Sequence, residues 1–134
     1  MTANYSLDTS TVIEILRGNE NVMHKLKQIT QTKSSLFICS VVYYEIMRGF
    51  GKLQTSKRMQ SFAALYDRVH HLPFCNLSVK KAIEIYVNLP RGITLEDADI
   101  FIAATAMVNN CILVTANIKH FSLIEELKTV NWRE

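Results

Sequence analysis

Short apolar runs alternate along this chain with stretches whose apolar residues recur every three or four positions. The first pattern predicts strands and the second amphipathic helices. Strands are expected at residues 5–7, 36–39 and 111–114, with a short third one at 72–74 and a last one around Val130 and Trp132. The run 111–114 is the clearest, because a continuous apolar stretch is what a strand buried on both faces requires. A first helix carries Val12, Ile13, Ile15 and Leu16, with Thr9 or Ser10 as its cap and Gly18 as its stop. A second spans about 20–30, with Val22, Met23, Leu26 and Ile29 at helical spacing. Ser40 is expected to cap a third, holding Val41, Val42, Tyr44, Glu45, Ile46 and Met47, and 56–69 forms a fourth through Met59, Phe62, Leu65 and Tyr66. Ser78 opens a fifth, with Val79, Ala82, Ile83, Ile85 and Tyr86, which Pro90 and Gly92 end. Thr94 opens the last, with Asp97 in the capping-box position, and it runs to the Asn109-Asn110 stop. Strands alternating with helices predict an α/β fold, a three-layer α/β/α arrangement around a short, mainly parallel central sheet. No linker or repeat divides residues 1–134, so one domain is expected.

Composition adds boundaries rather than chemistry. With 49% apolar residues in 134, the chain has enough for a real core. A net charge of +3 is compatible with nucleic acid and equally with an ordinary surface. Cys39, Cys75 and Cys111 are odd in number and form no CxxC pair, which fits a reducing cytoplasm. The start has no basic stretch followed by an apolar one, and no apolar run reaches about 18 residues, so neither a leader nor a membrane span is expected.

Three acids then change the picture. Asp8, Glu45 and Asp99 sit among core-forming or hydroxyl residues, and no Lys or Arg lies within three positions of Asp8 or Asp99. A carboxylate in such a place needs compensation from a metal ion or a cation. Oxygen ligands without a Cys/His cluster suit a hard cation such as Mg²⁺ or Mn²⁺. Each acid also has a plainer use. Asp8 can cap a helix, Glu45 can pair with Arg48 on an exposed face, and Asp99 can favour a helix N-terminus. Asp97 lies about 200° around the helix from Asp99, so both cannot face one ion equally. Asn117, just beyond the clearest strand, is either a weak metal ligand or a turn former. The four histidines show no ligand spacing and read as surface or loop residues. Neither a phosphate-binding loop nor a nucleophile elbow is present.

Four segments occur in a telling order: Leu7-Asp8-Thr9-Ser10, Ser40-Val-Val-Tyr-Tyr-Glu45-Ile-Met-Arg-Gly49, Asp99-Ile-Phe-Ile-Ala-Ala-Thr-Ala106, and Leu113-Val-Thr-Ala-Asn117 through Phe121. Together with Val130-Asn-Trp132 they make the whole chain resemble the PIN domain, in particular the VapC-like toxins of type II toxin–antitoxin systems. The resemblance implies a metal-dependent ribonuclease, using Mg²⁺ or Mn²⁺ held by Asp8, Glu45 and Asp99. Asn117 stands where many members carry a fourth acid, and His120 where an acid often precedes the Phe. Thr9 and Thr115 match hydroxyl positions that orient a ligand or water. The resemblance further implies an RNA substrate, a cognate protein antitoxin, a homodimer and no membrane. Arg17, Arg48 and Lys52 are expected to guide the RNA backbone. Helices 41–53 and 56–69, with Phe62 and Tyr66, are expected to form the antitoxin groove. The alternative is a catalytically weak or inactive PIN-like module that binds RNA or protein. An aspartyl-phosphate enzyme is disfavoured, because its Asp-x-Asp is here Asp8-Thr-Ser10.

Overall fold

A computed structural model describes residues 2–51 and 56–134. Lys52 and Leu53, which the sequence placed near the RNA and in the third helix, lie outside the described residues. Among the described residues, five strands form one sheet: β1 (Asn4–Leu7), β2 (Ser35–Cys39), β3 (His70–Leu72), β4 (Ile112–Val114) and β5 (Thr129–Val130). Their order is β3-β2-β1-β4-β5 and every pairing is parallel. The expected α/β architecture is therefore present, with a parallel sheet flanked by helices. The helices are α1 (Thr9–Leu16), α2 (Glu20–Thr30), α3 (Ser40–Phe50), α4 (Lys57–Asp67), α5 (Asn76–Asn88), α6 (Asp97–Val108) and α7 (Ile118–Phe121).

The strand order creates the site. From β1 the chain steps to β2 on one side, while β4 returns to the other side. Helical connections leave in opposite directions at such a point, so a crevice opens beyond the carboxyl ends of the two strands. The register Leu7↔Val114, continued by the Asp8 N–H bond to Val114 O at 2.9 Å, brings Asp8 level with Thr115.

Local chemistry explains most element ends. Gly18 closes α1 with φ +74°, a conformation that costs a side-chain-bearing residue and costs glycine little. Asn19 caps α2 by accepting the Val22 N–H at 3.1 Å, and Ser56 caps α4 by accepting that of Met59 at 3.1 Å. Helix α6 is buried nearly all round, through Ile100, Ile102, Ala103, Ala104 and Ala106. Its alanines allow close approach, and such a helix shows little amphipathic pattern because hardly any face meets water. Leu7, Ile38, Leu113 and Val114 complete the core from the sheet.

Several expectations shift. The third strand is 70–72 rather than 72–74, since Phe37, Ile38 and Cys39 pair with His70, His71 and Leu72. Helix α3 takes Ser40 as its first residue, with Cys39 at the cap position. Helix α5 starts at Asn76, and Ser78 is buried inside it rather than capping it. Helix α6 starts at Asp97, because the turn closed by Ile93 N–H to Pro90 O at 3.0 Å is followed by extended chain through Glu96. Trp132 lies beyond β5 and is buried, 5.8 Å from the Tyr5 ring. The one-turn helix α7 had no periodic signal, being too short to show one.

Candidate active site

Asp8 occupies the backbone N-cap position of α1, yet its carboxylate does not cap that helix. It is 3% exposed and turned across the sheet. Its Oδ2 accepts the Thr115 hydroxyl at 2.7 Å and the Ser10 hydroxyl at 3.0 Å. The backbone sets the direction of both donors. Thr115 Oγ1 accepts the Asn117 N–H at 3.0 Å and Ser10 Oγ accepts the Ala116 N–H at 3.0 Å. A hydroxyl has one proton. With its lone pairs engaged by amides, each hydroxyl sends that proton to Asp8. Thr11 ties the same corner, donating to Val114 O at 2.7 Å.

This cage stabilises the charged carboxylate but does not win. Burial pushes the Asp8 carboxyl above its ordinary range, and the bonds from Thr115, Ser10 and the Thr9 amide pull it back only partly. The negative charge of Asp99 adds a further upward push. Among the described residues, no Lys or Arg forms an ion pair with Asp8, Glu45 or Asp99. Nearby Cys39 is pushed up to about 11, first by its own burial and also by the Asp8 charge.

Glu45 lies half-buried on α3 and accepts the Thr9 hydroxyl at 2.6 Å. The plainer reading, a pair with Arg48, does not occur; the Arg48 guanidinium lies 5.3 Å above the Tyr44 ring. Asp99, in the first turn of α6, is partly buried with its side chain 25% exposed. Its Oδ2 lies 2.8 Å from His120 Nε2. His120 is thus no plain surface histidine. Sequence periodicity missed it because its position depends on α7, the turn that packs Phe121 into the core. Asn117 is exposed at the start of α7, and its side chain makes no cap. Asp97 is exposed as well.

The donor set fits a divalent cation. It offers the buried Asp8 carboxylate, raised further in pKa by the Asp99 charge, and among the described residues no Lys or Arg is ion-paired with Asp8, Glu45 or Asp99. Among the described residues, no three His, Cys, Asp or Glu side chains stand together as a finished cage. Glu45 is bonded to Thr9 and Asp99 to His120. Beside Glu45 a cleft of about 370 Å³ runs past Ile13, Ile46 and Phe50 to Arg17 and Arg58. Phe62, expected in a groove, is 1% exposed and packs among Tyr43, Phe50 and Tyr66, so it belongs to the core. Tyr66 is stacked on His71 at 3.7 Å.

A parallel sheet with acids at its switch point is a frame that several α/β domains share. Residues 5–127 match the PIN domain, and the chain belongs to that family. It is similar to Ribonuclease VapC2 of Rickettsia felis, 26% identical over 132 residues that cover 96% of this chain and 97% of the relative. In structure it is similar to VapBC2 from Rickettsia felis bound to a DNA fragment from its promoter. The TM-score is 0.84 at 24% identity, covering 96% of this chain and 98% of that one. It is also similar to DNA-bound VapBC from Salmonella typhimurium, with a TM-score of 0.85 at 21% identity, covering 97% and 98%.

Proposed function

We propose that this protein is a metal-dependent endoribonuclease and the toxin of a type II toxin–antitoxin pair, with residues 1–134 as one nuclease unit. The observation that carries the reading is Asp8, a buried carboxylate facing a second acid with only hydroxyls and an amide to compensate it. Its relatives' name, ribonuclease, supports RNA as the substrate. The VapBC complexes among its structural relatives support a protein antitoxin as partner, and the proposed toxin acts as a homodimer. Unpaired Cys39, Cys75 and Cys111 support a cytoplasmic setting, and no helix among the described residues is long and apolar enough to cross a membrane.

Asp8 and Asp99 would hold Mg²⁺ or Mn²⁺, Glu45 would complete the set, and Asn117 would contribute weakly through its amide oxygen. When bound, such an ion supplies a water of lowered pKa and offsets negative charge on the phosphate oxygens. Ser10 and Thr115 fix the orientation of the Asp8 carboxylate through Oδ2. Thr9 holds Glu45 at the edge of the crevice until it is needed. Arg48 on α3 and Arg17 just past the end of α1 lie exposed and draw the RNA backbone in by charge. The apolar cleft beside Glu45, ending at Arg17 and Arg58, takes the antitoxin segment.

One observation favours a second reading, a weak or inactive binding module: Glu45 and Asp99 already have partners within the chain. Cleavage of total cellular RNA by antitoxin-free protein, in Mg²⁺, Mn²⁺ or EDTA, separates the two. Discrete metal-dependent fragments are expected, and their loss in the Asp8→Asn/Asp99→Asn double variant. No fragments in either metal, from protein that melts cooperatively, would favour the binding module.

A further inference from the structure

Helix α5 turns its smaller residues inward and large apolar ones outward. The side buried against α6 holds Ser78, Ala82 and Ile85. A further edge, with Lys81, Glu84 and Asn88, borders a cavity against Met107 and Ile124. The remaining side carries Val79, Ile83, Tyr86 and Val87, which stay 40%, 59%, 68% and 71% exposed. At about 100° per residue these four fall within an arc of about 100°. Their spacing, four residues and then three, with Val87 four beyond Ile83, is that of a seam between two packed helices. A helix side that meets only solvent is ordinarily polar. Together the four expose on the order of 400 Å² of mostly apolar surface, the size of the largest patch on a typical monomer, which is often functional. With Leu77, Lys80 and Glu84 beside them, the face approaches the area of about 800 Å² per partner that a standard stable interface buries.

The pattern is also its own complement. In a two-fold interface, a residue that meets another is met by it in return. Two α5 helices packed antiparallel with Ile83 on the axis satisfy this along the stripe. Val79 of each copy meets Val87 of the other, since both lie four residues from Ile83. Ile83 is one residue from the middle of Asn76–Asn88, so nearly the full length of the helix overlaps. On the flank, Lys80 of each copy faces Glu84 of the other, whereas parallel packing would set Lys80 against Lys80. Glu84 pairs with Lys81 of its own helix at 3.2 Å, yet its side chain stays 62% exposed and open to a second cation. Resting on the homodimer of the reading above, we infer that a second copy of this chain covers the α5 face, the two helices packing antiparallel about Ile83. None of the stripe residues belongs to the acid cluster, so the interface and the cleavage chemistry can fail separately.

Sedimentation equilibrium of the full chain, free of antitoxin, tests the face. Wild type is expected to be a dimer at about 10 µM protomer. Ile83→Asp puts two like charges on the axis and should weaken the dimer on the order of a hundredfold. Its circular dichroism should stay that of wild type, because Ile83 buries little within one copy. Lys80→Glu should weaken the dimer about tenfold, and Lys80→Glu/Glu84→Lys should restore it. Disulfide capture reads the register. In a Cys75→Ser background, which removes the exposed thiol, Ile83→Cys should cross-link to itself under mild oxidation. Val79→Cys should cross-link only when mixed with Val87→Cys. A dimer indifferent to Lys80→Glu, or Val79→Cys that cross-links to itself as readily as Ile83→Cys, would overturn the antiparallel packing. A dimer that survives Ile83→Asp, or Ile83→Cys chains that do not cross-link, would overturn the inference and leave the homodimer standing on another face. Wild type that stays monomeric at about 100 µM would overturn the homodimer and the inference together, and leave the nuclease reading to RNA cleavage.

Discussion

The two ends of the acid cluster are held in opposite ways. At the sheet, Asp8 is sealed from water and bound by hydroxyls from α1 and from the chain after β4. At the rim, Asp99 is partly solvated and rests on a single side chain, His120. Glu45 resembles the rim, with one bond to the Thr9 hydroxyl. The difference teaches where such a site stores its cost. A buried carboxylate can be kept in place by a network of neutral donors, yet burial still raises its pKa. The rim acids are partly exposed, and each rests on one side-chain partner.

The largest effect should come from cutting the sealed end. Asp8→Asn is expected to lower RNA cleavage more than a hundredfold, since losing even an outer-shell partner of a metal ligand typically costs about 10–100-fold. The same variant, free of metal, should be no less stable than wild type at neutral pH. The sign follows from linkage: the folded pKa of Asp8 lies above its ordinary value of 3.8. The folded state therefore holds that proton more tightly, and stability falls as pH rises from 3.8 through the folded pKa, then stays flat. The advantage of Asp8→Asn should accordingly shrink as pH falls towards 3.8. Chemical denaturation across pH measures it, and a gap that widens in acid would break the picture of a buried, uncompensated charge.

Thr115→Val tests the cage. It removes a donor to Asp8 and an acceptor for the Asn117 N–H while keeping the shape. A loss of about 1–3 kcal/mol in stability is expected, together with about 10–100-fold in cleavage. Unchanged melting and activity would mean that Ser10 alone suffices and that the two ends differ less than they seem to.

The smallest effect concerns a contrasting hydroxyl. Ser6 sits on β1, two residues before Asp8, and its Oγ is buried without a partner among the described residues. Thr115 is equally buried and fully bonded. Ser6→Ala should leave cleavage unchanged and raise stability by about 1 kcal/mol, because an orphaned buried hydroxyl costs desolvation with no return. A destabilised Ser6→Ala would show that burial of the hydroxyl, rather than its bonding, is what this part of the sheet requires.

Much of the frame was legible in the chain. Ile112, Leu113 and Val114 could hardly be anything but a buried strand, and the apolar spacing of α1, α2 and α4 brought their helices out clearly. The acids stood out through their apolar or hydroxyl neighbours. Less legible were features that depend on packing across the sequence. Thr94 and Ser78 look like caps, but the chain enters α6 and α5 along paths set by the Pro90 turn and by burial of Ser78. His120 shows no ligand spacing because its partner is 21 residues away in α6.

What the sequence determined alone is the alternation of strand and helix, and with it three carboxylates placed where only a fold could compensate them. Local propensity and period are short-range properties, so they survive without tertiary contacts. The sheet order decided the rest. It set β4 beside β1, so that Thr115 and Ser10 close on Asp8 from segments 105 residues apart. It also decided which acids are sealed and which stay partly exposed. Those are matters of desolvation and hydrogen-bond geometry, which come into being only when distant parts of the chain exclude water together.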